Sequence, residues 1–150
     1  MKAKTTIIGI GNANCGDDAA GCLVAEALRG RDLSAVQILN ASGEPADLLE
    51  KFPTDGVLIF VDAMAEVAEC GRIRKMDTSN DALPIDAFSS YSTHGMGLPE
   101  AIEMARALGR LPPAVIVYGI EGRNFQPGDP LSPEVEEGIE RLVDQLVEAL

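Results

Sequence analysis

The 150-residue chain carries 12 Lys and Arg against 24 Asp and Glu, which gives a formal net charge of −12 at pH 7. Its hydrophobic fraction of 46% is ordinary for a globular protein, and its length suits one domain over residues 1–150. Nucleic acids and anionic membranes bind basic patches, so this charge argues against both partners. A metal ion, a basic peptide or another protein stays compatible with it.

The N-terminus and the cysteines indicate a cytoplasmic protein. Residues 1–4 lead into a predicted strand without a signal-peptide pattern, and no apolar run approaches the roughly 20 residues of a membrane helix. The three cysteines, Cys15, Cys22 and Cys70, lack C-x-x-C spacing. An odd number of cysteines without that spacing favours a reducing compartment over a disulfide framework or a cysteine zinc site.

Strand and helix patterns alternate in the first half of the chain. A β-branched apolar run predicts a strand at 5–10, and a helix follows a glycine-rich turn at 18–29. A short strand at 35–40 precedes a brief helix that begins at Pro45. The continuous apolar run 56–61 is typical of a central parallel strand that is covered on both faces.

The second half continues the alternation after an irregular stretch. Residues 71–76 alternate polar and apolar side chains and predict an edge strand, whose charges discourage further pairing. Residues 77–93 predict a loop, and a helix begins at Gly97 or Leu98. A buried strand at 114–120 leads to a last helix, which Ser132 is expected to cap.

This order of elements predicts the fold class. Strands alternating with helices imply right-handed βαβ crossovers and a mostly parallel sheet. We therefore expect an α/β three-layer sandwich, in which a twisted sheet carries helices on both faces.

Carboxylates follow two of the predicted strands. The first strand leaves through a turn with Gly11 and Gly16, and Asp17 and Asp18 stand where the next helix should begin. One of them is expected to cap the helix, and the other to point into the cleft above the sheet. Asp62 directly follows the central apolar run. Because ligands of open α/β sheets lie beyond the carboxyl ends of the strands, Asp18 and Asp62 are candidate functional residues.

The single histidine, His94, lies between Thr93 and Gly95, shortly before a predicted helix. Two carboxylates and one imidazole make an oxygen and nitrogen ligand set that suits divalent nickel, zinc or a similar ion. Spacing along the chain does not by itself show that Asp18, Asp62 and His94 converge.

Simpler roles and other chemistries stay open for these residues. Both aspartates of the doublet suit a helix N-terminus, and Asp62 suits a turn that binds its own backbone. Glu121, after the strand at 114–120, either faces the cleft or lies in a solvated turn. A Cys15–His94 nucleophilic pair is a weaker alternative. The acidic turn lacks the third glycine of the dinucleotide fingerprint, which disfavours a nucleotide cofactor.

Four stretches of the chain, in order, carry a resemblance to a known family. They are Gly9-Ile10-Gly11-Asn12 with Gly16-Asp17-Asp18 and Gly21; Val61-Asp62-Ala63; Ser92-Thr93-His94-Gly95 with Leu98; and Gly119-Ile120-Glu121 with Gly128 and Leu131-Ser132-Pro133. In these motifs the chain resembles the hydrogenase maturation proteases, endopeptidases that finish the large subunit of [NiFe] hydrogenases. The likeness spans nearly the whole chain.

The resemblance implies a five-stranded sheet and gives a role to each of three candidate residues. A metal-binding trio falls on Asp18, Asp62 and His94, with Asp18 or Asp62 in the catalytic role. The expected reaction removes a C-terminal extension from the large-subunit precursor after nickel insertion. The nickel then belongs to the precursor and serves as the recognition element. Either an aspartate activates a water, or the metal polarises the peptide carbonyl.

The chain departs from the family pattern at two places, and a second class of function stays open. Ala19-Ala20 replaces a common glycine and apolar pair, and Asn14-Cys15 replaces residues that are often apolar. Neither departure removes a proposed ligand, but both concern the shape of the turn. The alternative function is a non-catalytic nickel chaperone or sensor module on the same fold.

Overall fold

The computed structural model describes residues 4–42, 44–79, 82–83 and 97–150. Five strands and four α-helices make up this part of the chain. In chain order they are β1 (Thr5–Ile10), α1 (Ala20–Arg29), β2 (Val36–Ala41), α2 (Pro45–Lys51), β3 (Val57–Ala65), β4 (Ile73–Asp77), α3 (Leu98–Ala107), β5 (Ala114–Gly122) and α4 (Pro133–Ala149). A 3₁₀ helix, Gly16–Ala19, directly precedes α1.

The strands form one sheet in the order β2-β1-β3-β5-β4. Strands β2, β1, β3 and β5 run parallel to one another, and β4 pairs antiparallel with β5 at the edge of the sheet. The mostly parallel five-stranded sheet and the edge position of β4 are confirmed. Strand β4 is antiparallel because only residues 66–72 separate it from β3. A strand that ran parallel to β3 and β5 would need a longer crossover connection.

Helices cover both faces of this sheet, so the predicted three-layer sandwich is confirmed. On one face, Phe60 and Met64 of β3 pack with Leu48 of α2 and Ile102 of α3. On the other, Ile59 and Val61 pack in a second cluster with α1 and α4. Successive strand residues point to opposite faces, so the apolar run of β3 supplies both cores at once.

The central strand is longer than its apolar run predicts. Asp62 was expected to follow the strand, but β3 continues to Ala65 because Asp62 to Ala65 pair with Gly119 to Gly122 of β5. Pairing with β1 ends one residue earlier, at Gly9 opposite Val61. Asp62 therefore lies inside β3, where β1 no longer covers its edge.

Helix α1 approaches the sheet very closely at two glycines. A Cβ on Gly9 would lie 2.3 Å from the Gly21 carbonyl oxygen, and one on Gly21 would lie 2.2 Å from the Val61 carbonyl oxygen. Because neither residue has a Cβ, the first turn of α1 rests directly on the backbones of β1 and β3. This contact fixes where the turn before α1 meets the sheet.

No helix in the described ranges combines the length and the apolar character needed to cross a bilayer.

Candidate active site at the carboxyl ends of the strands

The Asp18 carboxylate lies in the turn between β1 and α1. Gly11 has φ 144°, and a Cβ there would lie 1.9 Å from the Asp18 carbonyl oxygen, so only glycine fits. The chain folds back on itself, and the Asn12 N–H donates to Asp18 Oδ2 at 3.0 Å. Asp18 lies within the 3₁₀ helix and does not cap α1.

Asp62 approaches the same region from the sheet. Its side chain alternates with Val61 and Ala63 and so lies on the face that carries α2 and α3. Only 8% of its surface is exposed. A carboxylate so deep within a strand costs stability unless a partner compensates it, which marks Asp62 as a candidate functional group.

The two carboxylates interact electrostatically. Burial raises the pKa of Asp62 well above its ordinary value, the charge of Asp18 raises it further, and the Ala63 N–H opposes the shift. Burial also raises the pKa of Asp18, against the bond from Asn12. Gly21, three residues after Asp18, lies against the Val61 backbone directly before Asp62, so the two aspartates lie near the same edge of the sheet. A proton or a cation between them relieves their repulsion.

Two further polar side chains, which sequence reasoning passed over, lie beside this pair. The Cys22 thiol lies 3.5 Å from the Gly11 carbonyl oxygen, to which it donates. Burial raises the pKa of Cys22, a bond with the Asn40 side chain lowers it, and the charges of Asp62 and Asp18 raise it. Cys22 follows Asp18 by four residues, one helical turn, and that spacing is the signal that could have placed it here.

Asn40 is the second-last residue of β2, and the Arg29 guanidinium at the end of α1 donates to its Oδ1 and to the Ile38 carbonyl oxygen. The carboxyl ends of β1, β2 and β3 thus each carry a polar group toward the same edge.

Asp17 does not cap α1 either, so the expectation that one of the two aspartates caps this helix is wrong. Its side chain is fully buried and, within the described part of the chain, accepts four hydrogen bonds, all from residues 123–132 between β5 and α4. Burial alone would raise its pKa, but the backbone N–H groups of Asn124, Ser132 and Arg123 and the Ser132 hydroxyl outweigh that effect, and the pKa lies below the ordinary value. Ser132 stands at the N-cap of α4, yet its side chain does not cap the helix.

Glu121 fulfils neither of the roles considered for it. It lies within β5 and is fully buried. Its Oε1 accepts the N–H groups of Val67, Ala68 and Glu69. Glu121 thus fastens the loop that follows β3, and it neither faces the cleft nor lies in a solvated turn.

His94, the third expected ligand, lies outside the described residues, as does the rest of the motif Ser92-Thr93-His94-Gly95. Helix α3 begins four residues later, and it packs on the face of the sheet that carries Asp62. Among the residues that the structure does describe, no three His, Cys, Asp or Glu side chains gather so that they could hold a metal ion. The pairing of Cys15 with His94 likewise stays a prediction.

The fold and the acidic pair together define an α/β protein with a candidate site at the carboxyl edge of a parallel sheet. A family model described as hydrogenase maturation protease matches residues 22–149. The chain belongs to the hydrogenase maturation protease family, a family of endopeptidases.

Individual relatives agree with this assignment. The chain is 27% identical to the hydrogenase 2 maturation protease of Escherichia coli, over 98% of this chain and 90% of that protein. The structure of a [NiFe] hydrogenase maturation protease HycI from Thermococcus kodakarensis superposes with a TM-score of 0.72 at 26% identity, covering 98% and 92% of the two chains. The hydrogenase maturating endopeptidase HybD of E. coli shares the fold, with a TM-score of 0.79 at 24% identity and coverage of 98% and 91%.

Proposed function

We propose that this protein removes the C-terminal extension of a [NiFe]-hydrogenase large-subunit precursor after nickel has been inserted, and that it recognises the nickel of the precursor. The observation that carries the proposal is the pairing of Asp18 and Asp62 at the carboxyl edge of the sheet, in a chain of this family. We place the reaction in the cytoplasm, where the three free cysteines stay reduced.

The donor groups suit a cation that the substrate carries. Asp18 and Asp62 offer carboxylate oxygens, and His94 offers an imidazole nitrogen, which are ligands that divalent nickel accepts. The mutual repulsion of the two carboxylates disfavours their joint ionisation in the free protein, whereas a divalent cation beside them favours it. Nickel-loaded precursor should therefore bind more tightly than nickel-free precursor.

Two routes to hydrolysis fit these groups. In the first, an ionised Asp18 or Asp62 takes a proton from a water molecule as that water attacks the peptide carbonyl, and the proton then passes to the leaving amine. In the second, the nickel of the substrate polarises the carbonyl, and the carboxylates hold the precursor in register. Positioning supplies much of the rate in either case.

The test is a cleavage assay on nickel-loaded and nickel-free precursor, read by mass spectrometry of the intact product. We expect nickel-dependent loss of a C-terminal peptide with the wild-type protein. Asp18→Asn, Asp62→Asn and His94→Ala should each reduce the rate by roughly a hundredfold or more. Asp144→Asn is the matched control, because Asp144 lies on α4 with 76% of its side chain exposed and should leave cleavage unchanged.

Each other outcome has a distinct meaning. Cleavage that ignores both nickel and His94 would contradict the proposed recognition. A wild-type protein that binds nickel-loaded precursor but never shortens it would favour the nickel chaperone or sensor module. Retained binding with lost cleavage in Asp18→Asn would support the enzyme.

A further inference from the structure

The four hydrogen bonds of Asp17 join two distant parts of the chain. Asp17 Oδ2 accepts the N–H groups of Arg123 at 2.9 Å and Asn124 at 3.0 Å and the Ser132 hydroxyl at 2.7 Å. Its Oδ1 accepts the Ser132 N–H at 2.7 Å. A fully buried carboxylate with this many donors is held in a single orientation.

The backbone around Asp17 is held as firmly as its side chain. The Asp17 N–H donates to the Asn124 carbonyl oxygen at 2.7 Å. Gly16, at φ 56°, passes so close to that oxygen that a Cβ would lie 2.5 Å from it, and a Cβ on Gly122 would lie 2.7 Å from the Asp17 Cβ. The 3₁₀ helix that carries Asp17 therefore sits against the segment after β5 without free space.

The side chain of Asp18 is held less firmly than that of Asp17. Among the residues that the structure describes, the Asn12 N–H alone donates to its carboxylate, in the exposed part of the turn. Because Asp18 directly follows Asp17 in the same 3₁₀ helix, the place of its Cα follows from the bonds of its neighbour. The direction in which the Asp18 carboxylate leaves the backbone is thus set from residues 123–132.

We propose that Asp17 and Ser132 are positioning residues for the reaction, because their hydrogen bonds aim the Asp18 carboxylate at the shared site with Asp62. The inference rests on the proposed function for its effect on the rate. Its geometric part, that the Asp17–Ser132 bonds hold the Asp18 carboxylate, is tested independently of any cleavage.

Ser132→Ala is the sharpest perturbation. It removes the hydroxyl that donates to Asp17 and accepts from the Asn124 side-chain amide at 3.1 Å, while the backbone N–H of residue 132 keeps its own bond to Asp17. Ser132→Thr keeps the hydroxyl and serves as the rescue. Val143→Ala is the control, since it weakens the buried face of α4 without touching Asp17.

The experiment has two readouts on the full-length chain. The amide of Asn12, which donates to Asp18, reports the carboxylate position through its ¹H,¹⁵N shift and its hydrogen exchange. Steady-state cleavage of nickel-loaded precursor, per folded molecule, separates kcat from KM. We expect Ser132→Ala to move the Asn12 amide and to lower kcat roughly tenfold with KM changed less than about twofold. Ser132→Thr should restore both values, and Val143→Ala should change neither.

The outcomes separate the two proposals. An Asn12 amide that stays in place in Ser132→Ala would overturn the inference, whatever the rate does. An unchanged kcat in Ser132→Ala, with stability reduced as in Val143→Ala, would overturn it as well, because the bonds would then serve the fold alone. If the Asn12 amide moves but the wild-type protein cleaves no precursor, the positioning of Asp18 stands and the proposed function fails.

Discussion

Replacing Gly21 with alanine tests the close approach that brings the Asp18 turn to the sheet. The added Cβ would lie 2.2 Å from the Val61 carbonyl oxygen, 2.4 Å from the Ile10 carbonyl oxygen and 2.7 Å from the Ile10 nitrogen. All three atoms are backbone, so α1 must move away by about 1 Å to reach ordinary contact distances. The substitution therefore perturbs the packing of the helix that follows Asp18.

The expected loss follows from two opposing terms. Alanine favours a helix over glycine by about 1 kcal/mol, whereas overpacking against a rigid neighbour costs about 3 kcal/mol or more. We expect a net loss of about 2 kcal/mol or more, which lowers Tm by roughly 4–8 °C in a domain of this size.

Gly30→Ala is the matched control for that substitution. Gly30 follows α1 at φ −76°, and the nearest atom to an added Cβ would be the Ala27 carbonyl oxygen at 3.5 Å. Both variants reduce the entropy of the unfolded chain equally, so Gly30→Ala should be neutral or gain about 0.5 kcal/mol. The assay is urea unfolding followed by circular dichroism. A Gly21→Ala protein as stable as Gly30→Ala would refute the reasoning.

Three further substitutions probe the acidic side chains Asp62, Asp18 and Glu121. Because the folded-state pKa of Asp62 is raised, the folded protein binds more protons than the unfolded chain between the two pKa values, and stability falls as pH rises through that window. Asp62→Asn should lack this slope in pH-dependent urea unfolding and should be more stable than the wild type at neutral pH by about 1–2 kcal/mol; an unchanged slope would contradict the burial effect. Asp18→Asn should lower the pKa of Cys22 and speed its alkylation by iodoacetamide about two- to fivefold in peptide mapping, whereas Asp144→Asn should not. Glu121→Gln should cost about 1–2 kcal/mol and increase hydrogen exchange at Val67 and Ala68, and full protection there would argue against the carboxylate as their anchor.

The alternation of patterns predicted the layers of the fold because burial follows periodicity. The run from Val57 to Val61 predicted a central strand, but Asp62 ended the apolar pattern and so concealed four more strand residues. Their strand conformation comes from pairing with β5, which no local propensity encodes. For this reason the position of Asp62 inside the strand could not be predicted from the sequence.

The candidate site divides in the same way. Strand ends and the glycine turn predicted that Asp18 and Asp62 would lie at one edge, because carboxyl ends of parallel strands meet there. The role of Asp17 was not predictable, since its partner Ser132 lies 115 residues away and no spacing rule reaches so far. The role of Glu121 was missed because its partners are backbone N–H groups of a loop, which leave no side-chain signature.

The long sequence separation of the Asp17 bonds has a consequence for the order in which the protein is made. Asp18 and Asp62 both leave the ribosome within the first half of the chain, but Ser132 emerges only near its end. A domain generally folds as a unit, and a contact of such high sequence separation cannot form until both of its partners have been synthesised. The nascent protein therefore carries both carboxylates before Ser132 is available to Asp17, and the bonds between Asp17 and Ser132 can form only after most of the chain has been made.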